Sequence, residues 1–176
     1  YKRQVPMRMT HFAGKTVGLM VASGFDEATF IAIQKAMLAA NAKLKIISKD
    51  AGLTNAWNGT GWGMSYPVDS TLSTTLAVDY DALIIPKGDR HIEKLSAEVH
   101  AKRILRAFVR EGMPVLILAD AIKILDIVDM EHPEFADGAD VARVENLVVT
   151  KTDDIVAGLD VLNGIMLDSQ DESCAA

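Results

Sequence analysis

The feature that most constrains this chain is a set of short apolar runs that do not alternate. Thr16–Ala22, Asp81–Pro86 and Pro114–Leu118 are each nearly continuous in apolar side chains, and Leu44–Ile47 and Val144–Thr150 read as two further strands. A strand with one face in water alternates apolar and polar residues; a strand without alternation must be covered on both faces. Helices on both sides of a parallel sheet supply that cover. The intervening stretches read as those helices. Asp26 and Glu27 place negative charge at a helix start, where the dipole favours it. Phe30, Ile33, Met37 and Ala40 then recur at helical spacing, and Asn41 ends the helix. His91–Arg110 reads as one long helix. Ala101, Ile104, Leu105, Phe108 and Val109 face the core, Glu98 and Lys102 pair at i, i+4, and Gly112 closes it. Ala121–Val128 reads as a short helix. A last one is capped by Thr152, with Ile155, Leu159, Leu162 and Met166 in one stripe.

Strand–helix alternation with right-handed crossovers gives a three-layer α/β/α, flavodoxin-like sandwich with a mainly parallel sheet. The reading divides the chain into a basic, proline-containing arm over 1–13, expected to link to an upstream domain, a folded domain over 14–167 and a flexible tail over 168–176. Asp50–Thr75 is rich in Gly, Asn, Thr and Ser. Within it Asn58-Gly59, flanked by Trp57 and Trp62, is a type I′ hairpin signal.

Charge and thiol content exclude several classes. The net charge of −6 argues against a nucleic-acid partner, which needs a basic face. Residues 126–176 carry 13 acidic and 2 basic side chains, an acidic solvated surface. No apolar run approaches the roughly 18 residues of a membrane helix, so no membrane partner is expected. The single cysteine, Cys174, permits neither a disulfide framework nor a cysteine zinc site. A lone thiol fits the cytosol, whereas the Asn58-Gly59-Thr60 sequon permits secretion, so the compartment stays open.

In such folds chemistry sits beyond the carboxyl ends of the strands, here in Ser23–Glu27, Lys87–Glu93 and Ala119–Lys123. The first loop has no G-x-G-x-x-G or phosphate-binding pattern, and its two carboxylates repel phosphate. A nucleophile elbow would carry Ser or Cys on the turn after Leu118, but Ala119 stands there, followed by Asp120. None of His11, His91, His100 and His132 lies four residues from another His or Cys; Glu131-His132-Pro133-Glu134 reads as a solvated loop rather than a metal site. Asp26 and Glu27 read first as helix-start charges, Trp57 and Trp62 as a cross-strand pair. Catalytic, cofactor-binding and metal residues are thus all expected to be absent. The residues left as a vestigial cleft are Asp26, Glu27, Gly88, Ala119 and Asp120.

Gly14–Gly18 through Gly24-Phe25-Asp26, then Asp81–Pro86, then Gly112–Val115, resemble the ThiJ/PfpI superfamily in order and spacing over residues 15 to about 167. The resemblance implies a Cys at the position of Ala119, a His at that of Asp120 and a Glu at that of Thr29; all three are replaced. Leu118–Lys123 and the upstream arm resemble the branch that forms the C-terminal domain of large-subunit haem catalases. That branch implies a non-catalytic domain with no cofactor of its own, attached to a haem-containing parent that converts hydrogen peroxide to water and oxygen. Its partners would be the catalase core and the other subunits of a tetramer, which it would stabilise, and unfolded clients held in a chaperone-like way. The alternatives are a stand-alone ThiJ/PfpI-like hydrolase or glyoxalase using Asp120 or Asp26, and a small-ligand binding module lacking the Cys nucleophile.

Overall fold

A computed structural model describes residues 13–49, 51–127, 133–135, 137–144, 146–151, 155, 158–162 and 164–165. The arm over 1–12, His11, Glu131, His132, Thr152, Met166, the tail and Cys174 lie outside the described residues.

β1 (Thr16–Met20) is fully buried beyond its first residue. It pairs in parallel with β3 (Lys43–Ser48) on one side and β7 (Ala82–Ile85) on the other. β7 pairs in parallel with β8 (Val115–Leu118), and β8 with β10 (Leu147–Thr150). With β6 (Ser70–Thr71) and β9 (Val141–Val144) at the edges, the sheet order is β6-β3-β1-β7-β8-β10-β9, and only β9 runs antiparallel. A separate three-stranded sheet joins β2 (Phe25–Asp26), β4 (Leu53–Trp57) and β5 (Trp62–Pro67).

The unbroken apolar strands divide their side chains between two cores. Val17, Leu19, Ile84, Leu116 and Val148 pack with Phe30, Ile33 and Met37 of α1 (Glu27–Ala39) and with Leu159 and Leu162. Met20, Leu83, Ile85, Ile117 and Val149 pack on the other face. Their partners there are Ile92 and Leu95 of α2 (Asp89–Ser96), Ile104, Leu105 and Phe108 of α3 (Val99–Arg110), and Ile124 and Leu125 of α4 (Lys123–Ile127). This is the three-layer, mainly parallel sandwich that non-alternating strands require.

Three local expectations need correction. The helix expected over His91–Arg110 is two helices, with Glu98 in extended backbone (φ −98°, ψ 117°) between them. Leu95 of α2 and Ala101 and Ile104 of α3 all pack into the same core, and this tertiary packing overrides helix propensity at the break. The Trp57–Trp62 hairpin forms, but Asn58-Gly59 is not a two-residue type I′ turn. The strands pair at Trp57↔Trp62, which leaves a four-residue loop. Within it the Asn58 side chain accepts from the N–H groups of Thr60 (3.0 Å) and Gly61 (2.9 Å). Only Gly59 has positive φ there, whereas type I′ needs it at both central residues. The strand expected over Val144–Thr150 belongs to two antiparallel strands, β9 and β10, with Asn146 at the turn. Asn146 is buried and donates to the Met113 carbonyl at 2.6 Å, fixing the end of the α3–β8 connection.

Candidate functional site

The carboxyl edge of the sheet is built from the ends of β1, β7 and β8, and each end has its own local device. After β1 the chain turns at Ser23-Gly24. Gly24 has φ +106°, and a methyl group there would lie 2.5 Å from Arg90 Cβ. After β7, Gly88 has φ +143°, and a methyl there would lie 2.8 Å from the Gly24 carbonyl. Two glycines therefore let two backbones touch where side chains would hold them apart. A hydrogen bond from Asp26 N–H to Lys87 O (2.9 Å) locks the contact.

Strand order reverses between β1 and β7, where an open α/β fold leaves a crevice for ligand. Here His91 fills it. The ring is fully buried. Its Nδ1 accepts from Ala22 N–H at 3.3 Å, and its Nε2 lies 2.5 Å from the Pro86 carbonyl. A carbonyl can only accept and an N–H only donate, so the imidazole is neutral with its proton on Nε2. Burial pulls its pKa down from 6.5 to about 4, against a smaller upward pull from the Pro86 hydrogen bond. His91 thus joins β1 to β7.

The elbow after β8 keeps an unusual backbone. Ala119 has φ +49°, one of two non-glycine residues in the left-handed region among those described. Its N–H donates to Thr150 Oγ1 of the neighbouring strand at 3.4 Å. This is the shape that exposes a nucleophile, occupied by a methyl group. Thr29, at the position of the expected Glu, is buried. Its N–H (2.9 Å) and hydroxyl (2.6 Å) both donate to the Asp26 carboxylate, which caps α1.

The expected cleft of Asp26, Glu27, Gly88, Ala119 and Asp120 assembles only in part. Asp26 and Gly88 share a cavity of about 240 Å³ with Gly24, Trp57, Lys87 and Arg90. The Arg90 guanidinium sits 3.9 Å above the Trp57 ring. Asp89, on the rim, meets Lys123 at 3.8 Å, which ties the turn after Ala119 to this cavity. Glu27 points elsewhere. Its carboxylate accepts from Met64 N–H (2.8 Å) and Tyr66 Oη (3.3 Å), anchoring the β4–β5 hairpin. The elbow backbone places Asp120 just beyond Ala119 in a 3₁₀ turn. Sequence reasoning missed His91, Arg90 and Thr150. The available signal was position: His91 shares the buried face of α2 with Ile92 and Leu95 and follows the Pro86-Lys87-Gly88 loop.

Among the described residues no three His, Cys, Asp or Glu side chains converge as a metal site would require. No described helix is long and apolar enough to cross a membrane.

The DJ-1/PfpI family model matches residues 15–127. Solved structures agree in fold. A ThiJ/PfpI domain protein from Brachyspira murdochii superposes with a TM-score of 0.72 at 15% identity, covering 89% of this chain and 98% of that one. DJ-1 of Schizosaccharomyces pombe gives 0.69 at 15% identity, with 88% and 90% covered. A two-domain protein from Anabaena variabilis, with dj-1/thij/pfpi-like and ferritin-like domains, gives 0.71 at 15% identity, with 89% and 48% covered. At these identities the likeness is one of fold. No curated protein matches the chain.

Proposed function

The chain belongs to the DJ-1/PfpI family, and from that premise we propose that it works as a small-ligand binding module without covalent catalysis. One observation carries this reading: the left-handed elbow at Ala119 is intact while its side chain is a methyl group. A methyl cannot attack a carbonyl, so no acyl or hemithioacetal intermediate forms at that position. The position expected to hold a Glu supports the same reading, because Thr29 there is engaged in the cap of α1. Asp26, the other candidate acid–base group, takes both of those hydrogen bonds on Oδ2 and caps α1 with it.

The catalase-parent reading, with a haem core, tetramer partners and client holding, gains no support from the comparisons. No observation at the site carries it.

Purified chain is assayed for glyoxalase, esterase and peptidase turnover, with an Asp120→Asn variant alongside. The expected result is no turnover above a heat-denatured blank. Turnover that falls in Asp120→Asn would overturn the proposal and establish an enzyme using unusual residues. A small-molecule thermal-shift screen tests the binding half; the absence of any stabilising compound would count against it.

A further inference from the structure

A second cavity, of about 390 Å³, opens on the other flank of α2, beyond the carboxyl ends of β1 and β3. Its volume lies in the range of small-molecule sites. It shares no lining residue with the cavity at Gly24 and Gly88.

Its lining sorts into three kinds of group. Ala22, Leu72 and Leu95 are buried and apolar. Ser23, Ser48 and Thr54 bring hydroxyls. Lys49 and Lys94 stand with Glu98 at the mouth. The hydroxyls are unevenly satisfied. Ser23 Oγ accepts from Asn55 N–H at 3.3 Å and lies 3.5 Å from Thr54 Oγ1, the limit of a hydrogen bond. Ser48 is only 5% exposed. Among the described residues its hydroxyl makes no hydrogen bond, although its carbonyl accepts from Leu72 N–H at 2.8 Å. That hydroxyl opens on the cavity, where water or a ligand can bond it.

Charge selects the ligand. Among the described lining residues two lysines face one glutamate, leaving one net positive charge at the mouth. The Lys49–Glu98 contact is 3.9 Å long and Lys49 is 65% exposed, so the pair is weak and readily exchanged. Lys94 Nζ lies 5.6 Å from the Trp62 ring. A single surplus positive charge matches a monoanion, and the apolar lining matches a short hydrocarbon body. Among the described lining residues there is no glycine, and so no glycine-rich loop of backbone N–H groups to favour a phosphate.

We propose that this cavity, between α2 and the ends of β1 and β3, binds a short aliphatic monocarboxylate. Its carboxylate would lie between Lys49 and Lys94, and its chain against Leu72 and Leu95. The inference stands apart from the state of the elbow and would hold whether or not that position were inert.

Amide NMR titration of the full chain with butyrate tests it, with butylammonium and inorganic phosphate as comparisons. Saturable shifts are expected at Ser23, Ser48 and Thr54, with none at Gly24 or Arg90. The rim variants Lys49→Gln and Lys94→Gln leave the core untouched, and each should weaken butyrate about threefold, the scale of one exposed ion pair. Ser48→Ala should weaken it less. Three results would overturn the proposal: no saturation by butyrate, equal binding of butylammonium or phosphate, or shifts that map to Arg90 and Trp57 instead.

Discussion

Acid should unfold this protein through His91, and the size of the effect follows from the ring's surroundings. The imidazole is fully buried between Ala22 N–H and the Pro86 carbonyl, an arrangement that only the neutral ring satisfies. Protonation would set a second ring N–H against the Ala22 N–H and place a charge where no water reaches. Its pKa is accordingly held at about 4 when folded, against 6.5 for the free side chain. The unfolded chain therefore binds this proton more readily. The stabilisation is complete above pH 6.5, shrinks as pH falls, and is gone near pH 4. At about 1.4 kcal/mol per pH unit the gap amounts to roughly 3 kcal/mol, a substantial share of the roughly 5–15 kcal/mol typical of a domain. Urea midpoints measured from pH 8 down to pH 4 give the profile. Carboxylates titrate in the lower part of that range, so the comparison is with His91→Gln, whose amide can donate to Pro86 and accept from Ala22 without titrating. The wild type should lose about 3 kcal/mol more than the variant between pH 7 and pH 4. Parallel profiles would refute the reasoning, because the bridge would then be indifferent to its proton.

Other consequences are as direct. Ala119→Gly removes the left-handed strain at φ +49°, worth about 1–2 kcal/mol, which exceeds the entropy a glycine loses on folding. It should leave thermal stability unchanged or raise it, and a drop of about 1 kcal/mol would mean the elbow is unstrained. Gly24→Ala sets a methyl 2.5 Å from Arg90 Cβ at φ +106°, so the urea midpoint should fall by roughly 2 kcal/mol or more; wild-type stability would show that the two loops can separate freely. The Tyr66 phenol is held above its usual pKa by burial first, then by the charge and hydrogen bond of Glu27. In Glu27→Gln it should ionise at lower pH than in the wild type, read by phenolate absorbance, and an unshifted titration would refute the Glu27–Tyr66 contact.

The layers were legible because burial on two faces leaves a mark in the sequence. Val17, Leu19, Ile84 and Leu116 serve one core while Met20, Leu83, Ile85 and Ile117 serve the other. Nothing polar can stand in such strands, and the runs show it. Asp26 as a helix start was equally legible, since a cap acts on residues three positions away. What escaped was long-range. The break at Ala97–Glu98 has no glycine or proline to announce it. Asn146 turns β9 into β10 by bonding to a carbonyl 33 residues earlier. His91 reads as a lone helix histidine until β1 and β7 bring Ala22 and Pro86 to its two nitrogens. The empty elbow was readable in Ala119, but its retained backbone shape was not, because the sheet sets φ there.

That retained shape bears on how such a domain can lose chemistry and keep a use. The elbow is held by two-sided burial of β8 and by the bond from Ala119 N–H to Thr150 Oγ1, and neither needs a thiol. α2 carries the remaining organisation. Its first turn supplies Asp89 and Arg90 to one cavity and His91 to the junction of β1 and β7. Its last turn supplies Lys94 and Leu95 to the other cavity. An eight-residue helix is marginal on its own and is held by what its buried face touches. His91, Ile92 and Leu95 are that face. A ligand seated against Leu95 therefore stabilises the same helix that His91 pins. With its folded-state pKa at about 4 the ring is still neutral at pH 5, so the coupling is tested at pH 7 by substitution: His91→Gln should bind butyrate more weakly than the wild type. Equal butyrate affinity in the two proteins would show that the two ends of α2 are held separately.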